Sequence, residues 1–150
     1  MQIIRREDFL EILAENGNPP YLYSLDNVNW QTSNIFKNLD AGIYQIYVKS
    51  QTNSCTAVAT SAVLFIPNAF TPNQDGYNDV WKVSNIEFFS NVKLKIFDKF
   101  GIQVFTAEDV LKFNWNGLYN GRLLPSGTYW YVMEIDGHYT RKGWILLKNR

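Results

Sequence analysis

The chain has 150 residues and a formal net charge of zero, with 14 Lys and Arg against 14 Asp and Glu, so nothing in its overall charge attracts nucleic acid or an anionic membrane. Hydrophobic residues at 46% and aromatics at 16% exclude a disordered chain and favour strands, where aromatic and β-branched side chains fit a half-buried pleat. Cys55 is the sole cysteine, which leaves no intramolecular disulfide and no thiolate metal cluster.

The first residues, MQIIRREDFLEIL, set Arg5, Arg6, Glu7 and Asp8 where a secretory leader would need an apolar run. No later stretch approaches the ~18 uncharged apolar residues of a spanning helix. Direct membrane insertion is therefore not expected, and an extracellular protein built on this chain would take its export leader from a longer parent. Alternating segments follow in order, each bounded by Gly, Pro, Asn or Asp: Phe9 to Glu15, Tyr21 to Leu25, Ile43 to Lys49, Ala57 to Phe65, Val92 to Ile96, Thr128 to Asp136 and Tyr139 to Leu147. Tyr44, Ile46 and Val48 share one face of their segment, and Val92, Leu94 and Ile96 oppose Lys93 and Lys95 in theirs. Gly137 and His138 separate the last two as a hairpin turn would. A helical turn is expected only near Ala107 to Leu111.

An internal echo sharpens the fold class. Trp30, Leu39, Gly42 and Tyr44 keep the same mutual spacing as Trp115, Leu124, Gly127 and Tyr129, at an offset of 85 residues. In immunoglobulin-like sandwiches a Tyr at the start of a late strand bonds back to the corner before it. The expectation is all-β: two small immunoglobulin-like antiparallel β-sandwiches in tandem, residues 1–66 and 67–150, joined near Ile66-Pro67. The first has too few strands for a complete sandwich, which reads as truncation.

The run Gly17-Asn18-Pro19-Pro20-Tyr21-Leu22-Tyr23-Ser24-Leu25-Asp26, continued by Phe36, Asn38-Leu39, Gly42, Tyr44, Val48 and Cys55, resembles the repeated immunoglobulin-like modules of large bacterial surface adhesins. The resemblance covers roughly residues 10 to 66 and implies that the first strand of such a module is absent or replaced by Met1 to Asp8.

Polar residues concentrate in NAFTPNQDGYNDVW, residues 68 to 81, with three Asn, two Asp and one Gly. Asn and Asp cap their own turns and accept left-handed backbone, so a structured turn is the simplest reading. Calcium is the functional one, because Asn73, Asp75, Asn78 and Asp79 offer hard oxygen ligands in one loop. An EF-hand is excluded: with Asp75 and Gly76 at the fifth and sixth loop positions, Thr71 and Lys82 would hold the first and twelfth, and neither supplies a carboxylate. No nucleophile with an activating base, no phosphate loop and no metalloprotease motif appears, and His138 is the single histidine, so no enzyme is expected. Trp130 with Tyr129 and Tyr131 could stack on sugar rings, although alternation sends about half of such a strand's residues inward.

The second half carries a further resemblance. Phe70-Thr71-Pro72-Asn73-Gln74-Asp75-Gly76-Tyr77-Asn78-Asp79-Val80-Trp81, then Val92 to Gly101 with Val104-Phe105, Trp115-Asn116-Gly117, Leu124 to Val132, and Lys142-Gly143 before a last apolar strand, is similar in order and spacing to the gliding-motility-associated C-terminal domain. That family is the type B sorting domain of the type IX secretion system of the Bacteroidota. Gln74 stands where Gly is usual, and Asn116 where Asp is frequent. The resemblance implies a non-catalytic signal that folds in the periplasm and sends a cargo, such as a surface adhesin or gliding protein, to the cell surface. It implies as partners the outer-membrane translocon and a PorP/SprF-like protein. Recognition would fall on Phe70, Thr71, Pro72, Asn73, Asp75, Gly76, Asn78 and Asp79, with Trp115, Gly117, Lys142 and Gly143 from the other motifs. The alternative is a calcium- or carbohydrate-binding sandwich of an extracellular protein.

Overall fold

Residues 1–5, 9–52, 55–109, 112–137 and 139–149 are described by the structure, a computed structural model of the chain. The chain divides into two compact units, Met1–Phe65 and Ile66–Arg150.

In the first unit the alternation at Ile43 to Lys49 becomes β5 (Gly42–Ser50), with Ile46 and Val48 buried. It lies between β3 (Tyr21–Ser24) and β6 (Thr56–Val63) in an antiparallel three-stranded sheet. A second antiparallel sheet has the order β1 (Gln2–Arg5), β2 (Leu10–Leu13), β4 (Ile35–Phe36). Leu10 and Ile12 from this sheet meet Tyr23, Ile46 and Val48 from the other in one core, the arrangement of a small sandwich. The N-terminal segment forms one edge of this second sheet. Although charged further on, it opens with a strand, β1, whose Ile3 pairs with Ile12, and Arg5 Nε donates to the buried Ser61 Oγ at 2.8 Å to tie the two sheets together.

The second unit is built on a five-stranded sheet in the order β10 (Gln103–Ala107), β9 (Lys93–Phe97), β14 (Gly127–Ile135), β15 (Tyr139–Leu147), β7 (Ala69–Phe70). β7 joins parallel to β15, and the other pairs are antiparallel. Over the inner face lies a short ribbon of β8 (Trp81–Lys82) and β11 (Asn114–Trp115), in which Trp81 and Trp115 are register partners. Both tryptophans are fully buried. Trp115 packs on Phe70 and Tyr129 with ring centroids 5.2 Å apart in each case, and Trp81 on Tyr131 at 5.5 Å. The second layer thus places two tryptophans in an aromatic core against the large sheet. A hairpin of β12 (Leu118–Tyr119) and β13 (Arg122–Leu123) turns at Asn120-Gly121, both with positive φ as a two-residue turn of this kind requires.

The expected helical turn near Ala107 to Leu111 is not matched at Ala107, which ends β10; Val110 and Leu111 lie outside the described residues. A 3-10 turn occurs instead at Ile86–Phe88. His138 also lies outside the described residues, between β14 and β15, which pair from Gly127↔Leu147 to Ile135↔Tyr139.

Candidate recognition surface

Between β7 and β8 runs the polar loop 71–80, and core aromatics hold both of its ends. Phe70 is buried at its start, and Trp81 at its end donates its indole N–H to the Pro67 carbonyl at 2.6 Å. The Thr71 amide donates to the Asn78 carbonyl at 2.8 Å and closes the loop. Inside, Asp79 accepts the backbone N–H groups of Asn73 (3.0 Å) and Gln74 (2.6 Å) on Oδ1 and of Gly76 (2.8 Å) on Oδ2. Asp75 accepts the Tyr77 N–H on Oδ1 at 2.8 Å and the Asn73 side-chain amide on Oδ2 at 2.7 Å. Each carboxylate therefore serves donors of its own loop, as Asx turns do. Gln74, Gly76 and Asn78 have positive φ, 63°, 88° and 52°. Gln74 thus adopts a left-handed backbone, the region that glycine enters without steric cost.

This rigid loop forms one wall of a cleft of about 430 Å³, lined by Pro72, Gln74, Gly76, Asp79 and Val80 and, from the opposite side, Asn116, Leu118 and Leu123. Val80, Leu118 and Leu123 are all exposed, giving the cleft an apolar wall beside a polar rim. The Asn116 side chain accepts the Leu118 N–H at 3.2 Å, and the Gly117 carbonyl accepts the Leu124 N–H at 2.9 Å, so the far wall is also held by hydrogen bonds of its own.

The residues proposed from the sequence separate into three places. Thr71, Pro72, Asn73, Asp75, Gly76, Asn78 and Asp79 belong to the loop. Phe70 and Trp115 are core, and Gly117 faces Leu147 so closely that a Cβ there would come within 2.8 Å of it. These three position the surface from beneath. Lys142 stands exposed on the outer face of the large sheet, whereas Gly143 faces inward against Tyr131. Sequence reasoning passed over Val80, Leu118 and Leu123. The Asn120-Gly121 dipeptide could have indicated a hairpin there, but its apposition to loop 71–80 is a tertiary contact.

As a calcium site, Asn73, Asp75, Asn78 and Asp79 bring two carboxylates already engaged by N–H donors. Among the described residues no group of three or more His, Cys, Asp or Glu is placed to hold a metal ion. Likewise among the described residues, no helix is long and apolar enough to cross a membrane.

The model of the CHU_C type IX secretion signal domain matches residues 64–147. No curated protein matches the chain. Among solved structures, the BSP domain of a biofilm associated protein is similar over 95% of this chain and 27% of its own, at 13% identity and a TM-score of 0.36.

Proposed function

We propose, because the chain belongs to the CHU_C type IX secretion signal domain family through residues 64–147, that the unit Ile66–Arg150 is the address by which a longer cargo is exported, and that loop 71–80 with its cleft is the part read. Membership supports a sorting signal that engages the type IX secretion machinery and leads to the cell surface or the extracellular space. The finer reading is that the cargo is a surface adhesin or gliding-related protein, and that a PorP/SprF-like outer-membrane partner docks against the loop.

One observation supports this choice of loop above all. A polar segment locked by its own carboxylates stands beside an apolar cleft on the matched unit, so a partner meets a fixed shape and binds without first having to order it. Exposed Val80, Leu118 and Leu123 would supply the apolar contact, and the Asn and Asp rim the register.

The test is export of the parent cargo in a gliding host. Deleting residues 67–150 is expected to trap the cargo in the periplasm, and deleting the first unit is expected to leave export intact. Val80→Ser with Leu118→Ser should reproduce the trapping in a folded protein. Normal export after the large deletion would refute the sorting role, and normal export of the double variant would move the read surface elsewhere.

A further inference from the structure

The outer face of the five-stranded sheet carries a row of aromatics that the core does not use. Phe97 on β9 is the register partner of Trp130 on β14, and Trp130 of Trp144 on β15, so three rings stand abreast on adjacent strands. Trp130 and Trp144 are 52% and 48% exposed, which is unusual for the largest apolar side chain in strands whose inward residues Tyr129, Tyr131, Ile145 and Leu147 are buried. One step along the same face, Lys95 and Lys142 flank Val132; beyond them Glu134 stands opposite Lys93. Among the described residues neither Lys95 nor Lys142 has an ion-pair partner, so two unneutralised cations border the tryptophans in a chain of zero net charge.

We propose that this face binds an acidic polysaccharide. Indole faces stack on the apolar faces of sugar rings, and register partners on neighbouring strands lie about 4.5–5.5 Å apart at Cβ, so consecutive sugars can be met in line. Lys95 and Lys142 are placed to meet carboxylates on the same chain, giving charge complementarity alongside the stacking. The cores of protein interfaces are depleted in Lys, whereas here the row of aromatics lies between Lys95, Val132 and Lys142 on one side and Thr128 and Leu146 on the other. β14 has a strand partner on each side, whereas β7 covers β15 only at Leu146 and Leu147. The site is distinct from the 71–80 cleft and does not depend on the reading given to it.

The test is native affinity electrophoresis of the whole chain in gels containing polygalacturonate, fully methyl-esterified polygalacturonate or dextran. Polygalacturonate is expected to retard the protein, less so as salt rises, and the two uncharged polymers to retard it weakly. Trp130→Ala with Trp144→Ala should weaken retardation about tenfold or more while the circular dichroism spectrum is kept. Lys95→Gln with Lys142→Gln should weaken it and abolish its salt dependence. Should the double tryptophan variant fail to fold, Trp144→Ser alone carries the same comparison. The proposal is overturned if no polymer retards the protein, or if retardation survives loss of the tryptophans, since that would be diffuse charge attraction. It is also overturned if the tryptophan variant keeps its retardation but blocks export of the cargo, which would assign the face to a protein partner.

Discussion

Gly143 and Tyr131 are register partners on β15 and β14, and the tyrosine ring fills the space a side chain at 143 would need: a Cβ built there would lie 2.6 Å from both the hydroxyl oxygen and a ring carbon. Tyr131 cannot easily withdraw, because it is buried and packed on Trp81 at 5.5 Å. A glycine beneath an aromatic on the neighbouring strand makes room for a large ring on the face of a sheet. Gly143→Ala is therefore expected to destabilise the second unit by ~1–3 kcal/mol, the usual cost of overpacking. Urea denaturation followed by Trp fluorescence measures it. An alanine variant as stable as the wild type would show that the ring has room to move.

The two units share a corner built the same way. Tyr44 donates its hydroxyl to the Asp40 carbonyl at 2.7 Å, and Tyr129 to the Pro125 carbonyl at 2.8 Å, in both cases four residues upstream. Burial raises the pKa of both phenols, with Asp40 adding to the effect at Tyr44 and Asp98 at Tyr129, so both remain protonated donors at neutral pH. Tyr129 is buried and Tyr44 is not. Tyr129→Phe is expected to cost ~1 kcal/mol and Tyr44→Phe less, because water can replace the lost partner at the more open corner. Equal losses in the two variants would contradict this reading.

Long strands were legible from the sequence because period-two alternation needs length to show. β5, β9, β14 and β15 lie where Ile46, Leu94, Tyr131 and Ile145 each take their turn inward. The two-residue strands were not legible, since their existence depends on distant partners. β7 is a strand only because it runs beside Leu146 and Leu147, and β8 only because Trp81 meets Trp115. At the candidate site the same division holds. Asn, Asp and Gly announced a structured loop, and the shared spacing announced Tyr44 and Tyr129. Motif membership did not distinguish Thr71 on the surface from Phe70 and Trp115 in the core, nor did it indicate that Val80 would face Leu118 and Leu123.

Acid should weaken the first unit through Asp26. Its carboxyl is held well below the usual range, first by the Asn29 side-chain amide, then by the backbone N–H groups of Val28 and Asn29 and by the Ser24 hydroxyl. The unfolded chain takes up a proton near pH 4, and the folded chain only at lower pH, so below that point the unfolded state binds more protons and stability falls with pH. The contribution is complete above about pH 5 and is lost as the solution is acidified through and below pH 4. Carbon-detected NMR titration should find the Asp26 carboxyl still ionised at about pH 3. Asp26→Asn should be less stable than the wild type at neutral pH, with the gap closing in acid; a gap that is constant with pH would remove Asp26 as the source.

Asp79 is expected to govern the shape of loop 71–80 with little influence on global stability. It joins Asn73, Gln74 and Gly76 through their amides, and all three residues are exposed, so in its absence water can satisfy the released donors. Asp79→Ala should leave the melting temperature within a few degrees of the wild type while hydrogen exchange at the Asn73, Gln74 and Gly76 amides accelerates about tenfold or more. Asp79→Asn, which keeps an acceptor oxygen, should retain part of that protection. The same bonds predict the response to calcium. A cation binding here would have to draw the Asp79 and Asp75 oxygens from N–H donors already in place, so millimolar calcium should not raise the melting temperature. A rise with calcium that disappears in Asp75→Ala with Asp79→Ala would instead establish the loop as a metal site, and would give the partner a neutralised surface to read in place of an anionic one.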